Sequence, residues 1–345
     1  MSLLEIKGLE TEFQTEQGVV KALRGINYTV DRGEVLGIVG ESGSGKSVGM
    51  LSLMGLLAPN GTVTAGEMIF DGEDISPIKY KTKKEKKEYE KKMNQIRGND
   101  ISMIFQDPMS YLNPIVTIEK QMTEGIRFHT KCSKKEAVQR AVELMKMVGI
   151  PAPESRLKQY PFEFSGGMRQ RIIIAIALAC NPKLIVADEP TTALDVTVQA
   201  QILDLLKDIT KESNAGVIII THDLGVVASL CDRISIMYGG NIMEEGTTDE
   251  IFYDPKHPYT KGLLNSIANS NVDHREPLKP IPGTPPDLLK LGDQCPFASR
   301  CSEAMEICTK ASPLVTEFGE THKCKCWLHC KERWHEVWKG EDAYE

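Results

Sequence analysis

A glycine-rich segment, GESGSGKS at residues 40–47, directly follows the apolar run VLGIV and precedes a helical pattern. It fits the pattern G-x-x-x-x-G-K-[ST], whose glycines let the backbone bend so that successive N–H groups point at phosphate oxygens. The lysine of this pattern, Lys46, would reach the β- and γ-phosphates of a nucleotide, and the hydroxyl of Ser47 would bind Mg²⁺. A glycine-rich turn without a ligand is the alternative, but the strand before the segment and the helix after it favour a phosphate site.

Short β-branched apolar runs recur along the chain, at residues 35–40, 101–105, 184–188 and 217–221. Each run is bounded by turn or polar residues, which is typical of buried parallel strands. Helical patterns lie between them, for example at residues 134–148 and 198–212. The sequence therefore predicts an α/β fold built on a parallel sheet.

Two acidic residues, Asp188 and Glu189, end the apolar run in LIVADEP. A carboxylate at the carboxyl end of a strand, where ligands of open α/β sheets collect, can hold Mg²⁺ through water. Glu189 beside it could polarise an attacking water. Such a pair alone more often marks a turn, but together with the phosphate pattern it indicates nucleotide hydrolysis.

The chain of 345 residues is longer than one hydrophobic core usually supports. Residues 275–289, REPLKPIPGTPPDLL, are proline-rich and cannot continue a helix or a central strand. We therefore expect a main domain at residues 1–270 and a C-terminal extension at residues 271–345.

Charge and hydropathy exclude two classes of protein. A net charge of −7 argues against a dominant nucleic-acid surface, which needs a basic field. The longest apolar run, residues 172–180, would span only ~14 Å as a helix, against a hydrocarbon core of ~30 Å. The N-terminus lacks the basic and apolar regions of a secretory signal.

The lysine-rich run at residues 79–92 indicates a solvated helix face, with contact to anionic lipid as the alternative.

Together these features resemble the nucleotide-binding subunit of an ATP-binding cassette (ABC) transporter, a P-loop ATPase with a RecA-like core, an N-terminal antiparallel β subdomain and a helical subdomain, here at about residues 110–180. FSGGMRQR at residues 164–171 resembles the family signature, although Met168 stands where glutamine is more usual. Gln106 matches the Q-loop, Asp195 ends the D-loop, and His222 matches the switch histidine. Phe13 lies where the family stacks an aromatic ring on adenine.

The resemblance implies roles for individual residues. Glu189, His222 and Gln106 would be catalytic, and Ser47 and Gln106 would bind Mg²⁺. The residues implied for nucleotide binding are Phe13, Gly40, Ser42, Gly43, Gly45, Lys46, Ser47, Ser165, Gly166, Gly167, Asp188 and Asp195. Core packing for Phe13, and a core or capping role for His222, are the structural alternatives.

The signature of one subunit completes the ATP site of another in this family, so two cassettes would close on ATP and separate after hydrolysis. FQDPMSYLNP and DPKHPYTKGLLNSI resemble the oligopeptide and dipeptide importers. This branch implies a second ATPase subunit, related or identical, two transmembrane permease subunits, an external peptide-binding protein and a place at the cytoplasmic face of the membrane.

Three other functions are alternatives to peptide import. Nickel and glutathione importers belong to the same branch. A soluble cassette ATPase acting on ribosomes or DNA would need a second cassette or a long coiled-coil insertion, which this sequence lacks. A regulatory nucleotide sensor conflicts with the intact Lys46, Asp188, Glu189 and His222.

Six of the nine cysteines cluster in the C-terminal extension: Cys295, Cys301, Cys308, Cys324, Cys326 and Cys330. Clustered cysteines in a protein without a secretory signal favour a metal over disulfides. Their wide spacing suits a larger inorganic core better than a tight zinc knuckle.

The importer branch often ends with C-P-F-x-x-R-C-x-x-A-x-x-x-C, then a histidine and a cysteine four positions later, and several members carry an iron–sulfur cluster there. This resemblance implies a [4Fe–4S] cluster held by Cys295, Cys301, Cys308 and Cys326. Zinc and free thiols are the alternatives. Cys324 and Cys330 are additional to the pattern, so the identity of the fourth ligand stays open.

Overall fold

The computed structural model describes residues 2–105, 111–191, 196–266 and 280–336. The strands in these ranges are β1 (Leu4–Thr15), β2 (Gly18–Val30), β3 (Val35–Val39), β4 (Gly61–Phe70), β5 (Glu73–Asp74), β6 (Ile101–Ile104), β7 (Leu184–Asp188), β8 (Gly216–Thr221), β9 (Arg233–Tyr238), β10 (Asn241–Thr247), β11 (Val315–Glu317) and β12 (Lys323–Lys325). The α-helices are α1 (Lys46–Leu53), α2 (Lys83–Ile96), α3 (Ile118–Thr130), α4 (Lys134–Met147), α5 (Pro153–Arg156), α6 (Gly166–Ala177), α7 (Val196–Ser213), α8 (Leu224–Leu230), α9 (Thr248–Tyr253), α10 (Pro258–Asn265) and α11 (Glu306–Lys310).

The apolar runs form the predicted strands β3, β6, β7 and β8, and the two helical patterns form α4 and α7. Every residue of β3, β7 and β8 is buried. Continuous apolar sequence suits these strands because neither face of a covered parallel sheet meets water.

The chain forms two compact units. Unit 1 comprises Met1–Leu4, Val30–Val35 and Lys79–Ile220. Its strand β7 pairs in parallel with β6 on one side and β8 on the other.

The lysine-rich run forms α2 in unit 1. A capping box starts the helix, because the N–H of Glu85 donates to the Thr82 hydroxyl while the N–H of Thr82 donates to the Glu85 carboxylate. Tyr89, Met93 and Ile96 form the buried face, at a spacing of three to four residues, whereas most of the lysines are exposed. The predicted helix is present, and its lysine-rich face is exposed.

Unit 2 comprises Glu5–Thr29, Leu36–Ile78 and Thr221–Glu345. One of its sheets has the strand order β2-β1-β4-β5. In the other, β3 pairs in parallel with β9, which pairs in antiparallel with β10.

Part of the C-terminal extension continues this second sheet. Strand β12 pairs with β10 in antiparallel fashion, with Cys324 opposite Glu244, and β11 pairs with β12. The cysteines are therefore carried on a segment that shares backbone hydrogen bonds with the body of unit 2. The expected boundary near residue 270 lies outside the described residues.

Candidate active site

The phosphate loop, residues 40–47, connects β3 to α1 in unit 2 and has no room for side chains at two glycines. A Cβ on Gly40 would overlap the carbonyl oxygen of Met237, and one on Gly45 would lie 2.7 Å from the carbonyl oxygen of Ala22. Gly45 also has a φ of 102°, a conformation that glycine adopts without steric cost. The predicted strand, loop and helix order is confirmed.

Lys46 is the first residue of α1, and its ammonium group turns back over the loop. The Nζ atom donates to the carbonyl oxygens of Gly40 at 2.7 Å and Glu41 at 2.9 Å. The residue is 8% exposed, whereas Ser42, Gly43 and Ser47 are exposed. A cation at a helix N-terminus, beside solvent-accessible loop residues, is suited to receive phosphate oxygens.

Asp188 and Glu189 lie at the carboxyl end of β7, in unit 1. Asp188 is 8% exposed, and Glu189 is half-buried. Glu189 has a φ of 46°, which is uncommon for a residue with a Cβ. Its N–H donates to the carbonyl oxygen of Ile220 at 2.8 Å. A backbone in this region is strained by about 1–3 kcal/mol, and such strain is concentrated at functional sites.

The signature residues begin α6, also in unit 1. Ser165 caps the helix, and its hydroxyl accepts from the N–H of Met168 at 3.4 Å. Ser165 and Gly166 are exposed, and a Cβ on Gly166 would meet no atom within 4 Å. A Cβ on Gly167 would lie 3.1 Å from Val198. The helix N-terminus thus presents a hydroxyl and backbone N–H groups to the surface, where an anion can bind.

Gln170 connects this signature helix to the end of β7. Its Nε2 atom donates to the carbonyl oxygen of Pro190 at 2.7 Å, and its side chain is buried. The signature and the two carboxylates are therefore joined within unit 1 by a buried hydrogen bond.

His222 follows β8 and is exposed. The next residue, Asp223, caps α8 by accepting from the N–H groups of Gly225 at 2.8 Å and Val226 at 3.4 Å. Asp223 therefore makes the helix cap, and His222 is neither a core nor a capping residue.

Phe13 lies on β1 and is half-buried. A Cβ on Gly61 would lie 2.7 Å from the Phe13 ring, so one side of the ring rests on a glycine of β4. The predicted site residues Gln106 and Asp195 lie outside the described residues.

The family described as "ABC transporter" matches residues 23–192, and the family described as "Oligopeptide/dipeptide transporter, C-terminal region" matches residues 243–308. The oligopeptide transport ATP-binding protein OppD of Bacillus subtilis is 53% identical over 94% of this chain and 88% of its own length. The dipeptide transport ATP-binding protein DppD of the same organism is 48% identical over 98% of both chains.

The chain belongs to the ATP-binding subunits of the oligopeptide/dipeptide ABC transporters. A bacterial ABC transporter cassette solved as a dimer superposes with a TM-score of 0.61 at 29% identity, covering 71% of this chain and 98% of that one. The same cassette has been solved as a dimer in a post-hydrolysis state with ADP and phosphate, with an equal TM-score. The predicted ABC fold, the ATPase activity and the peptide-importer branch are confirmed. No helix in the described part of the subunit is long and apolar enough to cross a bilayer.

The cysteines implied as cluster ligands are near one another in the C-terminal extension. Cys295, Cys308 and Cys326 are buried, and Cys301 is half-buried. Burial, together with smaller contributions from the neighbouring Cys308, Cys326 and Cys301, raises the pKa of the Cys295 thiol to about 12. Burial likewise raises the pKa of Cys301 to about 11, with Cys326 and Cys308 again among its neighbours.

The expected metal-binding character of the extension is not supported by the arrangement of these side chains. Within the described ranges, no three His, Cys, Asp or Glu residues are grouped so that they could hold a metal ion. A zinc ion would need its thiolates about 2.3 Å from one centre, and no such grouping is present among the described residues. The prediction of a metal-binding extension was made from cysteine spacing and resemblance, neither of which specifies how side chains converge.

Sequence reasoning missed a buried polar group in unit 2. Glu244 on β10 is fully buried, and its carboxylate accepts from the N–H groups of Lys256 at 2.6 Å and His257 at 2.9 Å. It also lies 2.8 Å from Nε2 of His322 in the extension. His257 was singled out only as part of DPKHPYTKGLLNSI, the segment that resembles the peptide importers. A glutamate inside an otherwise buried strand was the signal that could have identified the site.

Proposed function

We propose that this subunit hydrolyses ATP at composite sites formed with a second cassette, and that this hydrolysis powers the import of oligopeptides or dipeptides. The observation that carries the proposal is the exposed N-terminus of α6, where Ser165 and Gly166 leave space for the phosphates of a nucleotide held by a partner. A γ-phosphate bound from both sides favours the closed dimer, and its loss favours separation.

The phosphate loop would bind the nucleotide of its own subunit. The Lys46 ammonium group would release its hydrogen bonds to the carbonyl oxygens of Gly40 and Glu41 and donate to β- and γ-phosphate oxygens instead. Gly43 and Gly45 would let backbone N–H groups point at the phosphates, and Ser42 would lie at the exposed rim of the loop. Phe13 would stack on the adenine with the face that does not rest on Gly61.

The carboxylates and the histidine would perform the hydrolysis. Glu189 would orient and polarise the attacking water, and exposed His222 would contact the γ-phosphate. Ser47, Asp188 and Gln106 would hold Mg²⁺, which when bound neutralises charge on the phosphates. Asp195 would contact the partner across the dimer interface.

The partners follow from the same proposal. The second cassette would be a related subunit rather than an identical copy, although an isolated preparation could pair with itself. Two transmembrane permease subunits would hold the pair at the cytoplasmic face of the membrane, and an external binding protein would deliver the peptide. Nickel or glutathione import by the same machinery is the second candidate.

We further propose that the extension carries a [4Fe–4S] cluster on Cys295, Cys301, Cys308 and Cys326. The support is that Cys326 lies close enough to each of the other three thiols to raise its pKa by charge repulsion. A cubane binds each thiolate through a different iron, so its ligands stand farther apart than those of a single ion. The cluster would hold Cys295, Cys301 and Cys308 as thiolates, although burial raises the pKa of each of these three thiols.

Cys326, which the resemblance implies as the fourth ligand, has different neighbours from Cys324 and Cys330. The thiol of Cys324 hydrogen-bonds to Cys326, which lowers the pKa of Cys326 and raises that of Cys324. Cys330 instead donates to the carbonyl oxygens of Cys326 at 3.4 Å and Leu314 at 3.8 Å. The cluster would cross-link an extension that has little hydrophobic core of its own.

The experiment that tests the transport function is uptake by the assembled complex in lipid vesicles containing ATP. Labelled dipeptide and oligopeptide should accumulate only with the binding protein and with hydrolysable ATP. Nickel or glutathione uptake at equal rates, without peptide uptake, would replace the peptide proposal by the second candidate.

A further inference from the structure

Glu41, the second residue of the phosphate loop, is held by groups distant from it in sequence. Its N–H donates to the hydroxyl oxygen of Tyr259 at 3.0 Å. Its carboxylate accepts from Nη1 of Arg300 at 2.7 Å, and its carbonyl oxygen accepts from Lys46 at 2.9 Å. Each polar group of this residue therefore has a partner, and two of the partners lie outside the loop.

Arg300 is itself anchored on several sides. Its Nε atom donates to the carbonyl oxygen of Pro282 at 2.8 Å, and its Nη2 atom donates to that of Ile281 at 3.3 Å. Its Nη1 atom also donates to the Tyr238 hydroxyl at 3.0 Å. The side chain is 6% exposed, and that of Glu41 is 23% exposed. A guanidinium bound in this way has little freedom to leave the carboxylate.

Tyr259 is equally constrained. It is fully buried, and its ring packs against Tyr238 at 4.5 Å and Phe297 at 5.2 Å between centroids. Burial raises the pKa of its hydroxyl, so the group stays neutral and can accept from the Glu41 N–H. Phe297 and Arg300 belong to the same short stretch of the extension, between Cys295 and Cys301.

The segment that precedes Arg300 shares a cavity with the phosphate loop. A cavity of about 260 Å³ separates Glu41 and Ser42 from Pro285, Pro286 and Leu288. The extension thus lies beside the loop across this cavity, in addition to its direct contact through Arg300.

We propose that Arg300 and Tyr259 are positioning residues of the ATP site, through which the cysteine-bearing extension sets the conformation of the phosphate loop. Phosphate binding depends on the direction of the loop N–H groups, so a loop held in place binds nucleotide without an ordering cost. Arg300 also neutralises a carboxylate that would otherwise repel the phosphates. When Lys46 moves to the nucleotide, Arg300 and Tyr259 still hold Glu41.

The test measures Mg-ATP affinity of the full-length subunit by fluorescent-nucleotide titration, and KM and kcat of the assembled complex. Arg300→Gln is expected to raise the Kd and KM about tenfold, because it leaves the Glu41 charge unpaired, while kcat changes less than twofold. Tyr259→Phe is expected to raise the Kd about threefold, since it removes one neutral hydrogen bond. The matched control is Arg333→Gln, whose exposed ion pair with Glu336 lies in the same extension.

A double variant separates positioning from folding. Adding Glu41→Gln to Arg300→Gln removes the unpaired charge and is expected to restore most of the affinity. A Kd for Arg300→Gln within twofold of the parent value would overturn the proposal. It would equally be overturned if the affinity fell but the double variant recovered none of it, because Arg300 would then act only through the stability of the extension.

Discussion

The Nε2 atom of His322 lies 2.8 Å from the Glu244 carboxylate, and both side chains are buried. This contact joins the C-terminal extension to strand β10 of the cassette. The same carboxylate accepts two backbone N–H groups at the start of α10. One glutamate therefore connects the sheet, the helix and the extension in unit 2.

Replacing Glu244 by alanine should lower the free energy of unfolding by about 3–5 kcal/mol, because the change leaves buried His322 and the N–H groups of Lys256 and His257 without their acceptor. Urea unfolding of the full-length subunit measures the change. Glu317→Ala is the control, since its ion pair with Lys323 at 3.5 Å is exposed and contributes about 1 kcal/mol or less. Equal effects of the two substitutions would show that the buried carboxylate has no structural role.

The substitution Glu189→Gln should keep ATP binding within about twofold and slow hydrolysis by about 10²–10³-fold, because the amide cannot polarise the attacking water. Closed dimers should accumulate with ATP and be visible by size-exclusion chromatography. Glu143→Gln is the control, as this exposed residue on α4 pairs only loosely with Arg140, at 3.9 Å. Unchanged turnover of the Glu189→Gln complex would contradict the assignment of Glu189.

Alanine substitutions at two glycines of the phosphate loop should differ in effect. Both residues have positive φ, but a Cβ on Gly45 would lie 2.7 Å from the Ala22 carbonyl oxygen, whereas one on Gly43 meets no atom within 4 Å. Gly45→Ala should abolish measurable nucleotide binding, and Gly43→Ala should weaken it by about tenfold or less. Calorimetric titration with Mg-ATP compares them, and equal losses would show that backbone strain, not the steric clash, limits the loop.

Metal analysis of protein purified without oxygen tests the cysteine proposal. Iron and acid-labile sulfide should each approach ~4 per chain, with a broad visible absorption that bleaches on reduction. Cys326→Ser should lose the absorption, and Cys330→Ser should keep it. Zinc without sulfide, or an intact absorption in Cys326→Ser, would contradict the assignment.

The sequence by itself determined the local elements of this ATPase. The phosphate loop, the apolar strands and the capped helices depend on neighbouring residues: glycines allow the loop to bend, continuous apolar runs form buried strands, and Ser165 and Thr82 cap their helices. The order of the motifs along the chain was also sufficient to identify the family, and the similarity to known ATP-binding subunits confirms it. Gln106 and Asp195 were identified by resemblance alone and lie outside the described residues.

Only the tertiary structure decided how the distant parts meet. Glu41 and Arg300 are separated by 259 positions, and Glu244 and His322 by 78, so no local spacing predicts either contact. The proline-rich composition indicated a separate extension, yet β12 pairs with β10 and Arg300 reaches the phosphate loop. These contacts form because buried charges and strand edges require partners. In the folded chain those partners come from residues that are distant in sequence but close in space.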